Sequence, residues 1–257
     1  MKKLLSIVLT VLMAALFAAG CQKDPEPAPV VEIYTPAPME TAAPSLEPTA
    51  VPSDAPTPEP TEVPTQADQS VFDDAVFIGN SVFEGLYRFG IITHGRFYTK
   101  VGLNVNSVFT AYIDNSSVPV IDELNTGHYT KVILYFGTNE LGWPSYPGFI
   151  EKYTAVMDAV SARQPDAKIY ICGVLPTSRE NDEKNENGIN NENILRMNEM
   201  LKELAKNKNA KFIEVPEEFY DANGCLPEGA STDGIHLNLE YDRIWAEHIC
   251  LKVMGLK

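Results

Sequence analysis

Residues 71–257 read as one α/β domain: a three-layer sandwich whose five-stranded parallel sheet carries helices on both faces. Three observations predict this. Short apolar runs rich in β-branched residues alternate along the chain with stretches whose apolar residues recur at helical spacing. The clearest run, Lys131 to Gly137, is continuously apolar, as expected of a central strand buried on both sides. At 187 residues the segment is long enough to bury roughly 70% of its unfolded surface.

The elements follow in order. Ala75-Val76-Phe77-Ile78-Gly79 is the first strand, and Val82 to Phe89 the helix after it. Arg96 to Val101 is a weaker second strand, followed by a helix near Val105–Ile113. Lys131 to Gly137 is the clearest central strand, apolar throughout and ended by glycine. Tyr146 to Arg163 is helical and Lys168 to Val174 is the fourth strand. Asn191 to Asn207 carries Ile194, Leu195, Met197, Leu201 and Leu204 as a helical stripe. Lys211 to Val215 is the fifth strand and Leu239 to Met254 the closing helix. In a sheet wound this way, ligands bind beyond the carboxyl ends of the strands. Chemistry is therefore expected there.

The N-terminus reads as an address. Met1-Lys2-Lys3 supplies a positive start, Leu4 to Ala19 an apolar stretch, and Ala18-Ala19-Gly20 the small residues of a cleavage site, so 1–20 is a signal peptide. Leu16-Phe17-Ala18-Ala19-Gly20-Cys21 resembles a bacterial lipobox, which implies cleavage before Cys21 and a diacylglycerol on its sulfur. Stable lipid attachment needs about two chains, which bacterial lipoproteins carry. The expected location is extracytoplasmic, held to the cell membrane. Residues 21–70 are then the lipidated cysteine and a tether. The stretch 22–70 holds 12 of the 19 prolines and a net charge of −8, and it favours extended, core-less chain with an upper reach on the order of 150 Å.

Composition narrows the function. The chain carries −15 overall and about −9 within 71–257, with no Lys/Arg cluster, which disfavours nucleic-acid binding. Three cysteines remain in the domain: Cys172 in a strand, Cys225 in a Gly-rich loop and Cys250 on the last helix. Cys225 and Cys250 either pair or stay free. There is no Cys-x-x-Cys, no His-Glu-x-x-His and no phosphate-binding Gly-x-x-x-x-Gly-Lys, so neither a metal nor a cofactor is expected.

Chemistry-bearing residues do fall at the strand ends. The first strand runs into Gly79-Asn80-Ser81, where Ser81 opens a helix, able either to cap it or to act as a nucleophile at its positive end. The central strand runs into Gly137-Thr138-Asn139-Glu140, where the Asn139 amide either makes a turn or donates to an anionic oxygen. Thr232-Asp233-Gly234-Ile235-His236 places a carboxylate and an imidazole three residues apart around a glycine. A nucleophilic serine needs such a base and such an orienting partner. His94 and His128 lie in loops and His248 on the last helix, none in that setting.

Taken in order, Gly-x-Ser, Gly, Gly-x-Asn and Asp-x-x-His in an α/β frame resemble the SGNH, or GDSL-type, hydrolases, over essentially all of 71–257. The resemblance implies a flavodoxin-like fold and a serine esterase. By it, Ser81 is the nucleophile, with Asp233 and His236 completing the triad. The oxyanion hole is formed by Ser81, by Gly102 in Val101-Gly102-Leu103-Asn104 and by Asn139. One departure stands out: the family's usual Gly-Asp-Ser is Gly79-Asn80-Ser81 here, which keeps the size and an acceptor but loses a charge.

The expected reaction is hydrolysis of short-chain acyl esters, acetate first, on cell-wall or environmental carbohydrate, through an acyl-enzyme. The alternatives are a lipase or thioesterase, an O-acyltransferase with the same triad, or a catalytically idle glycan-binding module. Thr177 to Asn193 reads as a polar loop, either near the site or a solvated excursion. Trp143 and Tyr146 either stack on sugar or serve packing.

Overall fold

The computed structural model describes residues 67–256, so the expected signal peptide, Cys21 and nearly all of the tether lie outside the described residues. Strands β1 (Ala75–Gly79), β2 (Arg96–Thr99), β3 (Lys131–Tyr135), β4 (Lys168–Cys172) and β5 (Lys211–Ile213) form one sheet in the order β2-β1-β3-β4-β5. Every pairing is parallel. Five helices surround it: α1 (Ser81–Arg88), α2 (Tyr146–Arg163), α3 (Arg179–Lys184), α4 (Asn191–Asn207) and α5 (Leu239–Met254).

The inner strands β1, β3 and β4 are buried along nearly their whole length because both faces are covered, whereas the edge strands β2 and β5 are partly exposed. Val76, Ile78, Val132, Leu134, Ile169 and Ile171 point to one core, which Phe149, Tyr153 and Val156 of α2 and Ile194, Met197 and Leu201 of α4 complete. Phe77, Ile133, Tyr135, Tyr170 and Cys172 point the other way, against Val82, Phe83 and Leu86 of α1 and Trp245 and Ile249 of α5. The period of two along each strand sorts side chains between the layers. Each helix starts on a side chain that accepts a first-turn N–H: Asn80, Ser145, Ser178, Asn190 and Asn238. That is why α2, α4 and α5 begin where the sequence places them.

Other expectations need correction. No helix spans Val105–Ile113; the structure has a short 3₁₀ turn, Ser107–Phe109. Val105 and Val108 are buried as a helix would bury them, but the Asn104 carboxamide oxygen accepts from the Asn106 and Ser107 N–H groups, a local turn that competes with helix. Strands β2 to β5 stop two residues short of the expected runs. After β3 and β4 the run continues into a buried loop, where Phe136 and Val174 lie beyond the ladder and are fully buried, whereas after β2 Lys100 and Val101 are exposed. The segment after β4 is α3 plus a 3₁₀ turn, Glu186–Gly188, rather than plain loop. Cys172, Cys225 and Cys250 are all free and buried.

From β1 the chain moves to one side of the sheet to make β2, then crosses to the other for β3, β4 and β5. The crevice between the carboxyl ends of β1 and β3 is therefore the switch point, where such sheets bind ligands.

Candidate active site

Strand β1 delivers Ser81 to that crevice. Gly79 pairs with Tyr135 of β3, and a Cβ on it would sit 2.9 Å from the Tyr135 carbonyl oxygen, so no larger residue fits there. Asn80, not Ser81, caps α1: it is buried, and its side-chain oxygen accepts the Val82 N–H at 3.1 Å. The departure from Gly-Asp-Ser is thus compatible with capping, which needs only an acceptor. The unused Asn80 Nδ2 is buried without a partner. Relieved of capping, the Ser81 hydroxyl faces outward, and its N–H belongs to the unpaired donors of the first helical turn.

The loop before α5 brings the other partners. His236 Nε2 lies 2.8 Å from Ser81 Oγ, and His236 Nδ1 lies 2.6 Å from Asp233 Oδ2. Asp233 Oδ1 also accepts the Ile235 and His236 N–H groups at 2.9 and 2.7 Å. Partial burial works to raise the Asp233 pKa, but these hydrogen bonds, led by that from His236, outweigh it and hold the carboxyl down at about 2. An ionised carboxylate only accepts, so Nδ1 carries the proton and the Nε2 lone pair faces Ser81. The loop itself is braced from the α3 segment: Thr177 Oγ1 and the Ser178 N–H donate to Gly234 O at 2.7 and 3.0 Å, and Asn181 Nδ2 donates to Asp233 O at 2.8 Å. The polar stretch after β4 therefore supports the site.

The turn after β3 builds the neighbouring wall. Gly137 has φ +136°, and a Cβ there would lie 2.3 Å from Val174 Cγ2. Beyond it, Asn139 is exposed and its Nδ2 donates to Leu103 O at 3.0 Å. Glu140 is fully buried, and its carboxyl accepts the Gly137 N–H and the Val105 N–H, each at 2.9 Å. Burial pushes its pKa up to about 7 against the pull of those two donors. The segment Gly102–Val105 is thereby fastened to the Asn139 turn at two points. Gly102 has φ +76°, which glycine adopts freely. The sequence assigns Glu140 no role; its signal there is its place beside Asn139 in the Gly137-Thr138-Asn139-Glu140 turn.

A cleft of about 430 Å³ opens at Ser81 and His236, walled by Val82, Phe89, Val101 and Leu237, with Glu84, Arg88 and Asp242 also lining it. Val101 brings the Gly102 segment to its rim. Trp143 and Tyr146 do not line it. Trp143 packs edge-on against Phe149, and Tyr146 donates to Leu141 O at 2.9 Å beneath Arg196. His94 pairs with Asp73, and His248 stacks on Trp245. Among the described residues, no group of three or more His, Cys, Asp or Glu is placed to hold a metal. What the arrangement can do is move a proton from a hydroxyl through an imidazole held by a carboxylate, beside a turn rich in N–H donors.

Known proteins share this architecture. A candidate platelet activating factor from Streptococcus pneumoniae aligns at 23% identity and TM-score 0.54, over 70% of this chain and 82% of that one. A GDSL-like lipase from Bacteroides thetaiotaomicron aligns at 17% and 0.52, over 74% and 91%. A variant of an acetyl-xylooligosaccharide esterase from Geobacillus stearmophilus aligns at 13% and 0.52, over 71% and 94%. At these identities the likeness is one of fold. No curated protein matches the sequence. The profile of the GDSL-like lipase/acylhydrolase family matches residues 96–244, a span that begins after Ser81 and takes in Asn139, Asp233 and His236. Because that span is more than half of the chain, the protein belongs to the GDSL-like lipase/acylhydrolase family and is an ester-hydrolysing enzyme.

Proposed function

We propose that this enzyme is an extracytoplasmic serine esterase, tethered through a lipid on Cys21, that removes short acyl groups, acetyl first, from carbohydrate. The observation that carries the catalytic part is the unbroken chain from Ser81 Oγ through His236 to Asp233, at 2.8 and 2.6 Å. In this reading Ser81 attacks the ester carbonyl while His236 takes its proton. Asp233 keeps the imidazole in the right tautomer and stabilises the imidazolium. The Ser81 and Gly102 N–H groups and the Asn139 amide receive the oxyanion. An amide nitrogen has two hydrogens: the bond to Leu103 O fixes the orientation of one and leaves the other for the substrate. The alcohol departs with the proton from His236, and water repeats the sequence on the acyl-enzyme.

The choice of substrate rests on surroundings. A lipid-tethered enzyme outside the cytoplasm meets glycans, and a domain of about −9 repels an anionic lipid surface at short range. The acetyl-xylooligosaccharide esterase of like fold is in keeping with acetyl on a sugar. One feature favours a second reading, a lipase: the apolar cleft walls, with Phe89 and Val101 exposed by 64% and 70% at the site. Comparing acetate release from O-acetylated glycan with hydrolysis of long-chain acyl esters decides between them. Faster turnover of the long chain overturns the carbohydrate reading. For the tether, Cys21→Ser is expected to leave the protein unprocessed or released to the medium; a processed variant that stays on the membrane would place the anchor elsewhere.

A further inference from the structure

Asp242 sits in α5, four residues after its Asn238 cap, and is only 4% exposed. Its carboxyl receives no hydrogen bond from any described residue, and burial pushes its pKa up to about 7 against the pull of the nearby His236. The donors around it are spent. The Glu240 and Tyr241 N–H groups go to Asn238 Oδ1, both at 2.9 Å. The cleft's one cation, Arg88, is taken by Glu84 at 2.5 Å and by Asp114 at 3.4 Å. With so little exposure and no protein donor, this carboxyl has only the cleft from which to take a hydrogen bond. Asp242 forms part of the wall of the cleft that begins at Ser81 and His236, so a molecule bound there can supply one.

We propose that Asp242 is a specificity-determining residue: it receives a hydroxyl hydrogen from the part of the ester that occupies this cleft. The substrate class is then a short-chain ester of a sugar or other polyol with a free hydroxyl near the scissile bond. This rests on the esterase reading above and deepens it. A hydroxyl fits better than an ammonium group. Burial favours the neutral form of the Asp242 carboxyl, whereas an ammonium group needs the charged one. A hydroxyl, in contrast, can bond to either protonation state of the carboxyl. The remaining walls, Val82, Val101, Leu237 and the exposed ring of Phe89, suit the C–H face of a sugar ring.

The test compares kcat/KM for a monoacetylated methyl glycoside, for its deoxy analogue lacking the neighbouring hydroxyl, for 4-nitrophenyl acetate and for acetylcholine, using the full-length protein. The wild type is expected to favour the glycoside over the deoxy analogue by about 10-fold to 100-fold, the range for leaving one buried polar group unpaired. Asp242→Leu should erase that preference, and Asp242→Asn, whose amide oxygen still accepts, should keep most of it. No preference in the wild type overturns the proposal even if no variant folds, as does a preference that survives Asp242→Leu. Acetylcholine as the ester most dependent on Asp242 also overturns it, in favour of a cation site. Failure of the wild type on all four esters would instead remove the esterase reading on which the proposal stands.

Discussion

After β1 and from the loop before α5, the site presents side chains to water: those of His236 and Asp233 are 47% and 51% exposed. After β3, one turn away across the same crevice, the working carboxyl is Glu140, with no exposure at all. Asp233 is held down at about 2 by hydrogen bonds, whereas Glu140 is pushed up to about 7 by burial. The contrast separates two tasks. Groups that exchange a proton with substrate must be reachable, so their geometry comes from a short braced loop. A group that only fixes backbone can sit in the core, where water cannot compete for its two N–H donors.

The comparison breaks first at the reachable side. Ser81→Ala and His236→Ala are each expected to lower kcat on 4-nitrophenyl acetate by about 10³-fold or more, since members of such a unit fail together. Wild-type-like turnover in Ser81→Ala would remove it as nucleophile. Asn139→Ala comes next, with about 10²–10³-fold lost in kcat, as for one oxyanion donor. A folded variant with an unchanged rate would take Asn139 out of that role.

Glu140→Gln sharpens the buried side. The glutamine oxygen can keep one of the two N–H donors, while its NH₂ faces the other donor with nothing to accept. With the amide turned toward Val105, the Gly102–Val105 segment loses one of its two fastenings. A fall of roughly 10-fold to 10²-fold in kcat, with KM little changed, is expected from a small displacement near the reacting atoms. A loss confined to KM, or none, would mean that this segment does not position the transition state.

How much of this was legible in the sequence follows the same division. Ser81, Asp233 and His236 could be grouped because strand ends and a seven-residue loop, Ser231 to Leu237, carry them, and local patterning marks both. Helices α2, α4 and α5 were legible to the residue because each is bounded by a capping side chain. Strand ends were overrun, since an apolar residue does not reveal whether its backbone still joins the ladder; Phe136 and Val174 are as buried as the strands before them. Glu140 and Asp242 were silent. Glu140 acts on a residue 35 positions away, and Asp242 is buried by elements that meet only in the folded chain. The Asn104 turn shows the reverse case: apolar spacing suggested helix, and a short side-chain bond decided otherwise.

The smallest expected effect is on stability, and there the two carboxyls have opposite signs. Asp233 is depressed from 3.8 to about 2, so its contribution is present above the unfolded value and is lost as pH falls through about 2. Half-exposed as it is, it contributes under about 1 kcal/mol. Glu140 is raised from 4.5 to about 7, so the fold is favoured below 4.5 and that advantage disappears as pH rises through about 7. Being fully buried, it contributes a change of up to about 3 kcal/mol. Asp242, also raised to about 7, adds in the same direction. Unfolding midpoints between pH 4 and 8 are thus expected to decline toward the alkaline end, against the usual gain of carboxylate-rich proteins in that range. Glu140→Gln should flatten the decline, and Asp233→Asn should leave it in place. A wild-type midpoint that rises steadily from pH 4.5 to 7 would mean that the two N–H bonds to Glu140 outweigh its burial, and that the buried side, like the reachable one, is built around a carboxylate held charged.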